Sequence, residues 1–156
     1  MPLAADLSPE LRIEAASEAD RDILYMPYKA ALHTYVEWAW GWDEDKERFN
    51  FFERLPLSDL FKLIFKGQCI GGFCLDRRPD QDWHLRTFFL EPSSHGQGIG
   101  TAVLLHLMRQ AKSQQRDMTL HVIHSNPAKR LYERLGFQTV RQEDKTSLMR
   151  LPASSD

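Results

Sequence analysis

The chain has 156 residues, of which 42% are hydrophobic and 27% charged, with a formal net charge of −2. This length and composition fit one globular domain with a full core, and the nearly balanced charge argues against nucleic acid as a partner. No run approaches the roughly 18 consecutive apolar residues of a membrane span, and residues 1–8 lack the pattern of a secretory signal, so we predict no membrane partner and a cytoplasmic location.

The two ends of the chain differ in pattern from its middle. Residues 1–10 and 152–156 show little periodicity and are expected to be flexible tails, which leaves residues 11–151 as a single domain. Cys69 and Cys74 lie five positions apart in an apolar run and should point to opposite faces of a strand. We therefore interpret them as buried, reduced thiols, and no other residues suggest a metal site.

The first part of the domain has the pattern of one strand followed by two helices. Leu11–Ala15 alternates as a strand does, and Ser17-Glu18-Ala19-Asp20 is typical of a helix start. This helix is expected to be interrupted near Pro27 and to resume as far as Trp40. Asp43-Glu44-Asp45 places carboxylates at the positive end of a second, short helix.

The rest of the domain alternates between strand and helix patterns. Apolar runs bounded by turn residues predict strands at Leu60–Phe65, Cys69–Leu75, Trp83–Leu90, Met118–His124, Phe137–Val140 and Ser147–Leu151. Apolar residues recurring on one face, and a closing glycine, predict helices at about Gly98–Gln114 and Asn126–Leu135. The predicted order is strand, two helices, three strands, helix, strand, helix and two strands.

A glycine-rich turn is the most informative segment of the chain. It reads Pro92-Ser93-Ser94-His95-Gly96-Gln97-Gly98-Ile99-Gly100-Thr101 and leads into a predicted helix. Its glycines leave backbone N–H groups unshielded where the helix dipole favours an anion, which predicts a pyrophosphate site. A P-loop would require Gly-Lys-Ser/Thr after the turn, and this chain lacks it. The dinucleotide fingerprint would need a glycine at position 101. A merely flexible strand-to-helix turn is the alternative.

A second motif, about 30 residues downstream, makes the first one specific. It reads Asn126-Pro127-Ala128-Lys129-Arg130-Leu131-Tyr132-Glu133-Arg134-Leu135-Gly136-Phe137. Together with the glycine turn and the order of elements, it resembles the GNAT superfamily of N-acetyltransferases, which transfer an acyl group from acyl-coenzyme A to an amine. The resemblance implies an α/β (α+β) fold with a mixed, mostly antiparallel, seven-stranded sheet, splayed between its fourth and fifth strands and flanked by about four helices. It also implies acetyl-coenzyme A as acyl donor and no metal.

The resemblance further implies which residues bind the cofactor. The family pattern Gln/Arg-x-x-Gly-x-Gly/Ala falls on His95, Gly98 and Gly100, and His95 departs from it. This departure should weaken the site modestly and could make affinity pH-dependent, and the alternative is that His95 is a solvated loop residue. The pantetheine arm should pair with the strand edge before the turn, and Asn126 should close the other side. The predicted cofactor-binding residues are Phe88, Phe89, Leu90, His95, Gly96, Gln97, Gly98, Ile99, Gly100, Thr101 and Asn126.

Two residues are predicted to move protons. By resemblance, Tyr132 protonates the departing thiolate of coenzyme A, although it could instead be a packing aromatic. Several family members place a base on the strand before the glycine turn, and that position is His84 here. A water chain could accept the proton instead, and a histidine at a strand start is also an ordinary surface residue. Strand alternation is expected to place residues 84, 86, 88 and 90 on one face, so that Arg86 could orient a substrate carboxylate or simply balance surface charge.

The acceptor site is expected in the first helical region. Three tryptophans in five residues exceed what one helix face can bury, and Glu37 nearby could bind a cationic amine beside their aromatic faces. The alternative is aromatic packing of the helix onto the sheet. The predicted substrate-binding residues are Glu37, Trp40, Trp42 and Arg86.

The function predicted from the sequence is acetyl transfer from acetyl-coenzyme A to the primary amine of a small molecule or peptide. The amine would attack the thioester directly, without a covalent enzyme intermediate. The alternative is a catalytically inactive module that senses acyl-coenzyme A, with His95 as its support. A homodimer is left open by the sequence.

Overall fold

In the computed structural model, which describes residues 3–153, eight strands form one sheet that four α-helices accompany. The strands are β1 (Ala5–Asp6), β2 (Leu11–Ala15), β3 (Leu60–Phe65), β4 (Gln68–Asp76), β5 (Trp83–Leu90), β6 (Met118–Ile123), β7 (Gln138–Gln142) and β8 (Thr146–Leu151). The helices are α1 (Asp20–Trp40), α2 (Glu44–Phe49), α3 (Ile99–Ser113) and α4 (Ala128–Arg134). The strand order is β1-β2-β3-β4-β5-β6-β8-β7, and every neighbouring pair except β5 with β6 is antiparallel. The predicted mixed, mostly antiparallel sheet is confirmed.

The predicted count of seven strands is one short, because β1 lies in the segment expected to be a tail. Ala5 pairs with Ile13 of β2, and Leu3 is 1% exposed. A two-residue strand is too short to show the alternation by which a sequence reveals a strand. Residues 1–2 and 154–156 of the two predicted tails lie outside the described residues.

Helix α1 runs through Pro27 without the predicted interruption. Proline removes one helical hydrogen bond, to the carbonyl of Ile23. Ile23 is 56% exposed, so water can satisfy that carbonyl. The second predicted helix is confirmed at α2, where the Asp43 carboxylate accepts a hydrogen bond from Lys46 N at 3.1 Å. A π-helical turn over Asn50–Arg54 then continues α2.

The sheet opens into a fork between β5 and β6. These are the fourth and fifth of the predicted strands, between which the splay was expected. These parallel strands pair only where Trp83–Leu85 faces Met118–Leu120. Beyond Leu85, the edge of β5 is not paired with β6. Backbone N–H and C=O groups along such an edge are available to a ligand that adds like an extra strand.

A bulge at Arg86 reverses the faces of β5 just beyond the fork. Leu85 pairs with Leu75 of β4 and Thr87 with Cys74, so Arg86 is the extra residue. Leu85 packs on the α3 side of the sheet, and Phe88 packs on that same side despite its even number. The expectation that residues 84, 86, 88 and 90 share one face is therefore wrong, because alternation restarts at the bulge.

The helices cover the sheet from two sides, each with its own core. On one side, α3 and α4 pack on the larger cluster, which includes Phe73, Leu85 and Leu104. On the other side, α1 and the π-helical turn pack on a smaller cluster that includes Leu24, Phe51 and Phe89. Within residues 3–153, no helix combines the length and apolarity needed to cross a bilayer.

Candidate functional site

A cleft of about 490 Å³ lies where the unpaired end of β5, the glycine turn and the helices α1, α3 and α4 meet. We call it the cofactor cleft. Of the predicted cofactor-binding residues, it is lined by Phe88, Phe89, Leu90, His95, Gly96, Gly98, Ile99, Gly100, Thr101 and Asn126. Gln97 does not line it, because its side-chain amide folds back and donates to the Ser93 carbonyl at 3.2 Å. One depression thus collects residues from both sequence motifs.

The glycine turn adopts a backbone that only glycine adopts without strain. Gly96 and Gly98 have φ angles of +78° and +79°, in the left-handed region, and a Cβ on either would meet no atom within 4 Å. Gly98 is the N-cap of α3, and no side chain in the described part of the chain caps this end. The first N–H groups of α3 therefore remain free at the positive end of the helix dipole, which suits an anion.

His95 and Asn126 each bind the backbone as well as lining the cofactor cleft. His95 Nε2 donates to the Leu90 carbonyl at 3.0 Å, which ties the glycine turn to the end of β5. Asn126 Oδ1 accepts from Ala128 N at 2.9 Å and so shapes the start of α4. Both side chains hold the walls of the cleft in place, whatever further contacts they make with a ligand.

Tyr132 lies on α4 between the cofactor cleft and the core. The residue is 6% exposed, lines the cleft and packs edge-to-face on Phe137, with ring centroids 5.8 Å apart. Burial raises the pKa of the Tyr132 phenol. The phenol therefore stays protonated at neutral pH, as a proton donor to a departing thiolate must.

His84 lies outside the cofactor cleft, in a separate groove near the start of β5. Its Nδ1 shares a hydrogen bond of 2.7 Å with Thr119 Oγ1 on β6. Burial lowers the pKa of His84, with smaller effects from His121 and Arg86. The ring is therefore neutral at pH 7 and able to accept a proton. We call this depression the His84 groove; its lining residues are Asp76, Arg78, Asp80, Gln81, Asp82, His84 and Thr119.

His121 stands next to His84 across the fork. The two imidazole rings are 5.5 Å apart, edge to face, and His121 Nε2 lies 3.3 Å from the Glu143 carboxylate. A hydrogen bond from Thr146, with further help from Arg141, lowers the pKa of Glu143 and keeps it ionised. A proton arriving on His121 would therefore face a negative charge. No pattern in the sequence indicates this pair, because its members lie far apart in the chain on different strands.

The predicted substrate-binding residues do not line the cofactor cleft. The Glu37 carboxylate accepts from Trp42 N, and Trp40 is 62% exposed. The Trp42 indole packs on His33 and donates to Glu44 at 2.9 Å. Their role in binding an acceptor stays a prediction. Of the alternative, packing of the helix onto the sheet, Trp42 shows the expected contact with the smaller cluster, whereas the largely exposed Trp40 does not.

Helix α1 instead presents three residues that the sequence did not single out, Ala31, Leu32 and Tyr35, to the cofactor cleft. Ala31 and Leu32 each precede Tyr35 by about one helical turn, and this spacing was the available signal. Arg86 lies outside the cofactor cleft, and its guanidinium pairs with the Asp76 carboxylate at 3.5 Å. Among the described residues, no group of three or more histidine, cysteine or acidic side chains is arranged to hold a metal.

A sequence model described as the acetyltransferase (GNAT) family matches residues 21–137. The match spans the helices α1 to α4, the fork, the glycine turn and Tyr132. It thus covers both motifs and most of the described fold.

Comparisons with individual proteins agree with this match. The chain superposes with a TM-score of 0.74 on the PaiA N-acetyltransferase of Thermoplasma acidophilum in complex with coenzyme A, at 16% identity, covering 91% of this chain and 98% of that one. It superposes with a TM-score of 0.68 on the ribosomal-protein-S18-alanine N-acetyltransferase of Escherichia coli, at 25% identity, covering 94% and 96%. The human cysteine-rich protein 2-binding protein is 34% identical over 68 residues, which are 44% of this chain and 8% of that protein.

Proposed function

Because this chain belongs to the acetyltransferase (GNAT) family, we propose that it transfers the acetyl group of acetyl-coenzyme A to a primary amine by direct attack. Membership of an acetyltransferase family supports acetyl-coenzyme A as the donor, and a protein of the same fold has been solved with coenzyme A bound. The proposal rests on one observation: the uncapped start of α3, the open edge of β5 and Tyr132 all border the same cleft.

The cofactor cleft offers a matching surface to each part of the donor. The N–H groups of Gly98, Ile99 and Gly100 would bind the pyrophosphate at the start of α3. The unpaired edge of β5 over Phe88–Leu90 would bind the amides of the pantetheine arm as a neighbouring strand does. The thioester would then lie near the fork and Tyr132.

Proton transfer is assigned to both sides of the fork. The amine nitrogen attacks the thioester carbon, the carbon–sulfur bond breaks, and Tyr132 gives its proton to the departing thiolate. The proton that the amine loses goes to His84 Nε2, which carries the free lone pair when Nδ1–H donates to Thr119. His121, 43% exposed and paired with Glu143, would pass that proton on to solvent.

The acceptor is a primary amine of a small molecule or of a peptide, and the peptide is the better supported of the two. The Escherichia coli relative is named for acetylating an alanine of ribosomal protein S18, and it matches this chain over nearly its whole length. Glu37 and Trp42, two of the residues that favoured a small cationic amine, are engaged in internal contacts. A small-molecule acceptor is the alternative.

Thermal unfolding with different nucleotides tests the donor. We expect acetyl-coenzyme A and coenzyme A to raise the melting temperature and NAD and ATP to leave it unchanged, since a ligand that binds only the native state stabilises it. The measurement is differential scanning fluorimetry at millimolar ligand. An absent shift with both coenzymes would reject the proposal, and a shift without thiol release from any acceptor would favour the inactive sensor.

The pH profile of a His84→Gln variant tests the base. We expect its rate to fall most at acidic to neutral pH, where the acceptor amine is protonated, and to approach the wild-type rate at high pH, where the amine is already neutral. Since burial lowers the pKa of His84, the wild-type base remains neutral into mildly acidic solution. The measurement is thiol release from pH 5.5 to 9.5, with pH points spaced by about half a unit.

The exposed His124, which lies outside both the cofactor cleft and the His84 groove, provides the matched control. A His124→Gln variant should follow the wild-type profile throughout. A constant ratio of His84→Gln to wild type across this pH range would remove His84 from the mechanism.

A further inference from the structure

A second large cavity, of about 630 Å³, lies near the start of β5, away from the glycine turn. We call it the arginine cavity. Its charged lining residues are Arg77, Arg78, Arg86, Arg116, Asp59 and Asp76. Four guanidinium groups against two carboxylates give the lining an excess of positive charge, and the mechanism at the fork uses none of them.

The acidic residues around the arginine cavity neutralise its arginines only in part. Asp76, which is buried, is shared between Arg78 at 3.0 Å and Arg86 at 3.5 Å. Arg116 pairs at 3.4 Å with Asp80, whose side chain is 96% exposed. Pairs as exposed as the latter are weak and screened by water and salt. The positive charge is therefore available to a ligand.

Arg77 carries a polar atom that lacks a partner. Its guanidinium lies 5.7 Å from the ring centroid of Trp83 and 5.9 Å from that of Phe61, which restricts its movement. Its Nε is buried and finds no hydrogen-bond acceptor among residues 3–153. Asp59, the remaining acid of the cavity, is desolvated and repelled by Asp76, both of which raise its pKa. A buried donor without a partner is rare in native proteins, and the guanidinium that carries it belongs to a side chain that lines the arginine cavity.

The arginine cavity adjoins the place where the amine would react. Arg86, the bulged residue, directly follows Leu85, the last residue of β5 that pairs with β6. Asp76 and Arg78 line both the arginine cavity and the His84 groove. A molecule whose amine lies at the fork can therefore extend a second group into the arginine cavity.

We propose that the acceptor carries a carboxylate a few bonds from its amine and that the arginine cavity binds this carboxylate. The inference rests on the proposed acetyl transfer and narrows its acceptor. Guanidinium groups hold carboxylates through two parallel hydrogen bonds, which would orient the acceptor as well as attract it. The same chemistry is offered by an acidic side chain near a peptide N-terminus and by the carboxylate of a small amino acid. The excess of guanidinium charge acts against polycationic acceptors.

Equilibrium binding of matched acceptor pairs tests this proposal without turnover. One pair is Ala-Asp-Glu-Ala-amide and Ala-Asn-Gln-Ala-amide, and the other is 5-aminopentanoate and pentylamine. Each is titrated calorimetrically into the protein, with and without saturating coenzyme A. We expect the acidic member of at least one pair to bind about tenfold more tightly, the effect of one charge-assisted hydrogen bond, and the pair that shows it identifies the source of the carboxylate.

Two variants and a control locate the preference. Arg77→Gln and Arg86→Gln should each abolish most of it, whereas Arg12→Gln, an exposed arginine on β2 that pairs with Glu14, should keep it. Arg86→Gln leaves the buried Asp76 with one partner fewer, so the melting temperature of this variant is also measured. If Arg86→Gln proves to be unfolded, the result with Arg77→Gln decides alone. Equal affinity within both pairs, no binding by either acidic member, or a preference that survives Arg77→Gln would overturn the proposal. Failure of coenzyme A to bind would instead count against the proposed function.

Discussion

Replacing Tyr132 with phenylalanine should lower kcat about a hundredfold or more and leave the affinity for coenzyme A unchanged. The substitution removes only the hydroxyl, and a positioned general acid contributes about this much to rate. The ring keeps its packing on Phe137, so α4 and the wall of the cofactor cleft should hold their shape. The measurements are thiol release at saturating acceptor and calorimetric titration with coenzyme A.

Tyr28→Phe is the matched control for this prediction. Tyr28 is also a tyrosine whose pKa burial raises, but its hydroxyl donates to Glu47 at 3.3 Å and it does not line the cofactor cleft. We expect its kcat to stay within about twofold of wild type, because it takes no part in proton transfer. An unchanged kcat in Tyr132→Phe would exclude the phenol as the proton donor.

Replacing Gly98 with valine should reduce the affinity for coenzyme A by about tenfold or more. A side chain at a φ of +79° is strained, and relief of that strain would turn the first N–H groups of α3 away from the pyrophosphate. Each charge-assisted hydrogen bond lost is worth about 1.5–3 kcal/mol, and 1.4 kcal/mol is a factor of ten. Calorimetric titration with coenzyme A gives the affinity directly.

Gly67→Val separates strain from binding. Gly67 lies in the turn between β3 and β4 with a φ of +81°, and a Cβ there also meets no atom within 4 Å. Both variants should therefore lose similar stability, of about 1–2 kcal/mol, and only Gly98→Val should lose coenzyme A. Equal affinity in the two variants would show that the glycine turn is structural.

Local signals predicted most of the elements correctly because each rests on residues close together in the chain. The apolar face of α3 follows from spacings of three or four residues, and the acidic run that begins at Asp43 marks the start of α2. Pro27 misled the prediction since its cost depends on whether water reaches the carbonyl one turn earlier, which a sequence does not show. The partners of the tryptophans near Trp40 could not be predicted either, because the number of tryptophans does not reveal which residues they contact.

By itself, the sequence determined the order of the elements apart from β1, the family and the two motifs around the cofactor cleft, since glycines and helix starts act through their own backbone. Tertiary structure alone decided what lies at the fork. The bulge at Arg86 reverses the faces of β5, so that alternation counted from Trp83 fails beyond Leu85. Pairing of β5 with β6 brings His84 to His121. These are contacts between distant segments, and their geometry depends on strand register, which is fixed only when the whole sheet packs.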